Sequence, residues 1–266
     1  MARINQPLEI YKRLNKSNCQ KCLLPSCMAF AVAVIQGQKK IGDCPELDAE
    51  TLETLSGQTS TKKTVEDDLE KKLNSLKQEV SAVDFYAVAP KLGAGINDGR
   101  LVVNCLGKDF FVDINGNVAS QCHTSPWVMT PLLHYVLFSK GINISGAWVP
   151  LKELKSGETW GPLFEQRGEK PLKQVADSHP DLFEDLVTIF SGKDYLSDFG
   201  ADISVVLWPL PKVPILICYW KPEDDFESKL NIFFDKTATE NLKIESIYAL
   251  GVGIVSMLEK IMDKHR

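Results

Sequence analysis

The chain has 266 residues, 44% hydrophobic and 24% charged, with a net charge of -5 and an isoelectric point near 5.5. This is a globular composition that suits two unequal domains, and it lacks the basic surplus by which nucleic-acid binders neutralise phosphates. The N-terminus shows no signal-peptide core and the longest apolar run, residues 247 to 257, is interrupted by Gly251 and Gly253, so a cytoplasmic protein without membrane insertion is expected.

Residues 7 to 14 (PLEIYKRL) predict a short amphipathic helix, and residues 28 to 36 (MAFAVAVIQ) a second one ended by Gly37. Between and after them lie four of the seven cysteines, Cys19, Cys22, Cys27 and Cys44, whereas Cys105, Cys122 and Cys218 are scattered. Clustered cysteines in a chain without a secretory signal indicate metal or cluster ligands in a reducing compartment, not a disulfide framework. Residues 1–50 therefore form a candidate cluster module. A Thr, Ser, Gly and Gln-rich stretch over residues 51–64 predicts a flexible linker, and the remaining residues 65–266 predict an α+β domain. That domain starts with a helix carrying Val65, Leu69, Leu73, Leu76 and Val80 at helical spacing.

From Asp84 onward the runs FYAVAP, RLVVNCLG, KDFFVDI and NVASQ predict strands, with Asn115-Gly116 as a two-residue hairpin turn. Residues 127 to 139 predict a buried helix after Pro131, and residues 171 to 190 two helices parted near His179-Pro180. Strands return in DISVVLWP, VPILICYW and LNIFFD, the first two joined through a Pro-rich connection, before a closing helix over residues 240 to 264. Runs of strands and helices without regular alternation give an α+β fold class: a small helical module plus a larger mixed domain with mostly antiparallel sheet.

The spacing Cys19-x2-Cys22-x4-Cys27-x16-Cys44 places three thiolates on a tight loop and one at a distance, which suits convergence on a 4Fe-4S cluster. The helix starting after Cys27 can direct its N-terminal N–H groups at an anionic cluster. Leu23, Leu24, Phe30 and Val34 are candidates for its apolar cover, and Asp43 adds negative charge beside the fourth ligand. Zinc, which also accepts four cysteines, is the alternative occupant, although structural zinc sites usually pair two close-spaced knuckles and this sequence has one.

The segment NCQKCLLPSCMAFAVAVIQGQKKIGDCPEL resembles the 4Fe-4S module of the corrinoid iron-sulfur protein large subunit. It is similar also to the module of ion-pumping ferredoxin oxidoreductase B subunits. That family commonly has glycine after the first and second ligands, where this chain has Gln20 and Leu23. The segments FSKGINISGAWVPLKELKSGETW, GADISVVLWPLPKVPILICYWKPEDDF and NIFFDKTATENL resemble a family of anaerobe proteins of unassigned function that fuse this module to a further domain. The resemblance implies an iron-sulfur redox protein of anaerobic metabolism that passes single electrons at low potential to or from a redox partner protein or a cofactor bound by the C-terminal domain. It brings no catalytic residues, so enzymatic activity is left open. A corrinoid-binding or corrinoid-activating role is an alternative, although the D-x-H-x-x-G corrinoid motif is absent; a non-redox adaptor with a structural cluster is another.

Weaker candidates remain. Cys122-His123 occupies a loop position where a thiol or imidazole could meet a ligand, while Cys105, Cys218 and His134 read as core. The run GAGINDG reads as a turn and not a phosphate loop, and the calcium-loop likeness at Asp113 to Gly116 reads as a hairpin. Glu223, Asp224, Asp225 and Glu227 read as turn charges. Trp127, Trp148, Trp160 and Trp208 either line a flat-ligand pocket or pack in the core.

Overall fold

Short helices and a small apolar core are described in the first of the two units into which the chain divides, Met1–Asn74 and Ser75–Arg266. The computed structural model describes residues 6–35, 39–48, 51–52, 54–55, 65–122, 124–179, 181–195, 199–223 and 226–264. Helix α1 (Pro7–Arg13) begins with proline in its first turn, where the missing N–H has no intrahelical partner to lose. Helix α2 (Cys27–Ile35) is apolar on most sides because Phe30, Ala31, Val34 and Ile35 all enter a core with Ile10, Leu14 and Ile41. Thr51, Leu52, Thr54 and Leu55 are helical and Leu55 is fully buried in that same core. Leu52 packs against this core as well; of the joint expected over 51–64, residues 53 and 56–64, like Gly37, lie outside the described residues.

Helix α3 (Val65–Val80) buries Leu76 and Val80 within the second unit. Helix α4 (Phe85–Leu92) corrects the strand expected for FYAVAP. The Asp84 carboxylate accepts from the Tyr86 and Ala87 amides, and Gly93 closes the other end in the left-handed conformation. Caps at both ends outweigh the strand preference of the aromatic and β-branched residues between them.

A four-stranded antiparallel meander follows, formed by β1 (Gly95–Asn97), β2 (Arg100–Cys105), β3 (Lys108–Val112) and β4 (Val118–Ser120). The two-residue turn lies at Asp98-Gly99, both at positive φ, between the paired Asn97 and Arg100. The Asn115-Gly116 hairpin is wider than expected. Only Gly116 has positive φ there, and the loop is closed by the Asp113 N–H donating to the Asn117 carbonyl. The Asp113 carboxylate accepts from the Asn115 and Asn117 amides, so it is committed to the turn. A Cβ on Gly116 would stand 2.6 Å from the Lys77 Cα, so glycine lets α3 sit against this loop.

Helix α5 (Pro126–Phe138) starts at Pro126, so Pro131 falls inside it instead of before it. The buried Tyr135 hydroxyl donates to the Leu92 carbonyl. The larger sheet is antiparallel throughout, in the order β5-β9-β8-β7-β6: β5 (Trp148–Pro150), β9 (Lys229–Asp235), β8 (Val213–Trp220), β7 (Ile203–Leu210) and β6 (Lys193–Asp194). Only Pro211 and Lys212 connect β7 to β8, because both strands extend through the prolines. One face carries α6 (Gly161–Phe164), α7 (Lys170–Ser178) and α8 (Leu182–Phe190), with Phe164 on Phe234 and Phe183 on Tyr219. Its opposite face presents Val206, Leu216 and Cys218 beneath Trp148, Trp208, Trp220 and Phe233. A short α9 (Ala238–Asn241) precedes α10 (Ile244–Lys264), on which Gly253 admits the Trp127 ring; a Cβ there would stand 2.4 Å from it.

The end of β9 is fixed by Asp235, whose side chain is fully buried. Its carboxylate accepts from the Ser145, Gly146 and Thr237 amides and from the Ser145 and Thr237 hydroxyls. Burial alone would raise its pKa, but the donors of Thr237, Ser145 and Gly146 prevail and hold it below the ordinary carboxylate value. A depressed folded pKa means that this contribution is complete above about pH 5 and is lost as pH falls below about 4 through the folded value. Replacing Asp235→Ala should cost about 3 kcal/mol by urea unfolding at pH 7. The variant should also lose less stability than the parent between pH 5 and pH 3; an equal acid loss in both would reject the assignment.

Candidate iron-sulfur site

Cys19, Cys22, Cys27 and Cys44 line one cavity together with Asn18, Leu24 and Phe30. The chain reaches this arrangement by local rules. Ser26 caps α2, its hydroxyl accepting from the Ala29 amide, and thereby places Cys27 in the first turn of the helix. The Asn18 side-chain carbonyl accepts from the Cys27 amide at 2.8 Å, and the Asn18 amide donates to the Cys27 sulfur at 3.4 Å. Those two bonds close the loop that carries Cys19 and Cys22. A 3-10 turn over Ile41–Asp43, in which the Asp43 carboxylate accepts from the Lys40 amide, delivers Cys44.

The distant fourth cysteine is tied back to the loop at Glu46. The Asn15 side-chain NH2 donates to the Glu46 backbone carbonyl at 2.7 Å, and the Lys21 ammonium meets the Glu46 carboxylate at 2.5 Å. Asn15, Asn18, Lys21 and Glu46 were not among the sequence candidates; an Asn directly before the first cysteine was the available signal. Of the expected apolar cover, Leu24 and Phe30 line the cavity. Val34 is instead in the core of the unit, and Leu23 is 87% exposed. None of the seven cysteines is in a disulfide.

The donor set fits a cationic metal core. Burial pushes the Cys44 thiol up, and the negative charges of Cys22, Cys27 and Cys19 push it further in the same direction. Four thiolates brought together this way repel one another until positive charge stands among them. The fit therefore rests on the set and not on any single cysteine.

Elsewhere the other candidates separate. Cys105 and Cys218 are buried, and burial raises the Cys105 pKa. Cys122 is exposed and His123 lies outside the described residues. His134 Nδ1 meets the Ser246 hydroxyl at 2.7 Å; burial, with Lys243 nearby, lowers its pKa. Gly93 caps α4, Gly95 lies in β1 and Gly99 in a turn, so GAGINDG is no phosphate loop. Glu223 pairs with Phe226 in a short bridge, while Asp224 and Asp225 lie outside the described residues. The four tryptophans do not share a pocket: Trp127 packs on Gly253 and Trp160 on Tyr248, whereas Trp148 and Trp208 line a common cavity.

Four non-glycine residues in the cluster loop have positive φ: Lys16, Asn18, Gln20 and Leu23, at 58°, 47°, 57° and 65°. Gln20 and Leu23 directly follow the first two cysteines, so the backbone there adopts a form that a Cβ disfavours by about 1 kcal/mol. Gln20→Gly and Leu23→Gly should therefore each raise the stability of the anaerobically prepared protein by about 0.5–1 kcal/mol in thermal unfolding. Destabilisation by both substitutions would show that the loop is not held in this conformation.

An Fe-S cluster family model matches residues 14–46, the stretch that forms this cavity, and a second model, the domain of unknown function DUF3786, matches residues 84–257. Over 45 residues the chain is 51% identical to the acetyl-CoA decarbonylase/synthase complex subunit gamma 1 of Methanosarcina thermophila, covering 17% of this chain and 10% of that one. Over 48 residues it is 42% identical to the corrinoid/iron-sulfur protein large subunit of Moorella thermoacetica, covering 18% and 11%. The likeness thus spans about a tenth of these relatives' length. No solved structure matches the chain. Among the described residues no helix is long and apolar enough to cross a membrane. Since the DUF3786 model takes in well over half of its residues, the chain belongs to the DUF3786 family and carries an iron-sulfur module ahead of that domain.

Proposed function

We propose that Cys19, Cys22, Cys27 and Cys44 hold one 4Fe-4S cluster and that the protein is a low-potential carrier of single electrons. The observation that carries this reading is the convergence of the four thiols on one cavity at the start of α2. Among the described residues no three His, Cys, Asp or Glu side chains close to the spacing of a single ion. The single close-spaced pair, Cys19 and Cys22, favours the cluster over zinc, whose structural sites usually pair two such knuckles.

Reversible uptake of one electron is the chemistry that such a cluster supplies when bound. The chain's own residues set its environment. Leu24 and Phe30 keep water from one side, which disfavours the more negative reduced form and lowers the potential. The Asn18 amide at the Cys27 sulfur and the N-terminal turn of α2 act in the opposite direction, stabilising added negative charge. The electron's destination is a redox partner protein or a cofactor held by the DUF3786 domain, in a reducing compartment such as the cytoplasm that keeps the thiols unoxidised.

A second reading draws on the corrinoid named for one relative: the DUF3786 domain binds or activates a corrinoid. A cleft of about 780 Å³ between β9 and the helical segment Gly161–Lys170 has the size for a large ligand. Cobalamin titration followed by tryptophan quenching tests it, and no saturable binding would reject it. A purely structural cluster, acting in an adaptor, predicts loss of the cluster upon dithionite reduction.

Protein purified without oxygen should contain about four irons and four sulfides per chain. Cys27→Ser should lose most of the iron and the thiolate-to-iron absorption, while Cys218→Ser should keep both. Stoichiometric zinc without iron would overturn the proposal.

A further inference from the structure

The four cysteines of the N-terminal module are not equally covered. Cys22, Cys27 and Cys44 are half-buried, whereas Cys19 is exposed. A metal core held by all four sulfurs therefore comes nearest to solvent at the Cys19 edge. Leu23 stands beside that edge. Its amide donates to the Gln20 carbonyl at 2.8 Å, which closes residues 20–23 into one turn directly after Cys19.

Two features of Leu23 do not serve the fold. Its side chain is 87% exposed, so it contributes almost nothing to the core of the module. Its φ of 65° lies in the left-handed region that a Cβ disfavours. Glycine would relieve the backbone here and lose no packing. Burial against another molecule is what gives this leucine a stabilising role. Met28, which directly follows Cys27, is also exposed and adds a second apolar, adaptable side chain next to a ligand position.

Charge describes the molecule that covers these residues. Among the described residues of 6–48, six are basic and four acidic, although the whole chain carries a net charge of -5. The basic side chains include Lys21 within the turn itself and Lys16, whose chain neighbours Asn15 and Ser17 both border the cysteine cavity. Approach by an acidic protein is thereby favoured over approach by a basic one.

We propose that the Cys19–Leu23 turn is the electron port of the protein, at which an acidic soluble one-electron carrier docks with Leu23 against an apolar spot beside its own redox centre. The inference rests on the cluster reading above. The exchange is a single electron that the reduced carrier loses and the cluster gains, with no bond or proton moved. Docking at the exposed ligand shortens the gap between the two centres, and electron-transfer rates fall exponentially with that gap.

Calorimetric titration of the full-length, cluster-loaded, oxidised protein with oxidised flavodoxin, an acidic carrier, tests the port without turnover. Saturable binding is expected, weakening about tenfold between about 20 and 200 mM salt. Cytochrome c, a basic carrier, should not bind saturably. Leu23→Gly removes the side chain where glycine suits the backbone, and should weaken flavodoxin binding about tenfold while iron content and the thiolate-to-iron absorption stay intact. Leu23→Met should keep the parent affinity. Ile114→Ala, at an exposed apolar residue of the other unit, should change nothing. In stopped flow, Leu23→Gly should slow cluster reduction by reduced flavodoxin but not by the methyl viologen radical, which needs no docking. Absence of saturable flavodoxin binding, equal binding by Leu23→Gly and the parent, or a preference for cytochrome c would overturn the proposal. Protein that takes up zinc and no iron would instead refute the cluster reading itself, and the port with it.

Discussion

One buried carboxylate organises the larger unit. Asp235 ends the central run of β9, and five donors from Ser145, Gly146 and Thr237 converge on it. A carboxylate is tolerated in the interior only with such a set, since an unpaired charge there is strongly unfavourable. The cost of burying it therefore enforces the path of the chain: the loop before β5 must return to β9, and the turn into α9 must leave from it. Asn241 extends the same logic one layer further, its side chain accepting from the Ile142 amide and donating to the carbonyls of Ile142 and Lys212. Two buried polar residues thus tie the loop from Ile142 to Gly146 to the last third of the domain, at a place where apolar packing alone would leave the loop undetermined.

The five-stranded sheet separates two environments. Helices cover the side of Phe234 and Tyr219, and that side is filled by aliphatic and phenyl groups. On the other side the large residues are tryptophans, and Phe199 stacks on Phe233 at 4.3 Å with nearly parallel rings. Every residue of β8 from Val213 to Tyr219 is buried, which explains why its sequence lacks the alternation of a half-exposed strand. Indole rings combine apolar bulk with a polar edge, so they suit a sheet face that carries loops instead of a second layer of helix.

Much of this was legible in the sequence because it is written locally. The hydrophobic runs gave the long strands, Cys19 to Cys44 gave the cavity, and His179-Pro180 gave the break between α7 and α8. Where reading failed, a longer-range or finer effect decided. FYAVAP has strand-like residues, yet Asp84 and Gly93 lie just outside it and cap a helix. Asn115-Gly116 is the usual two-residue turn signal, but three donors to Asp113 favour a wider loop. The four tryptophans look alike in sequence, and only the fold separates those packed on Gly253 and Tyr248 from those bordering a cavity. The bonds of Asn15 and Lys21 to Glu46 cross 31 and 25 residues and have no periodicity to reveal them.

In the N-terminal module, metal binding by the cysteines would be coupled to folding. Among the described residues its core cluster consists of eight buried side chains, a small core for such a unit. Its loop also carries four non-glycine residues in the left-handed region, each of which opposes folding. Cys22, Cys27 and Cys44 pack against this core while lining the cavity, so metal bonds made there act directly on the weakest part of the unit. Free energy of metal-thiolate bonding appears as folding free energy when the site does not exist in the unfolded chain. With the cluster bound as proposed, holding it and holding the module together would be the same set of bonds, and a change in one ligand would act on both.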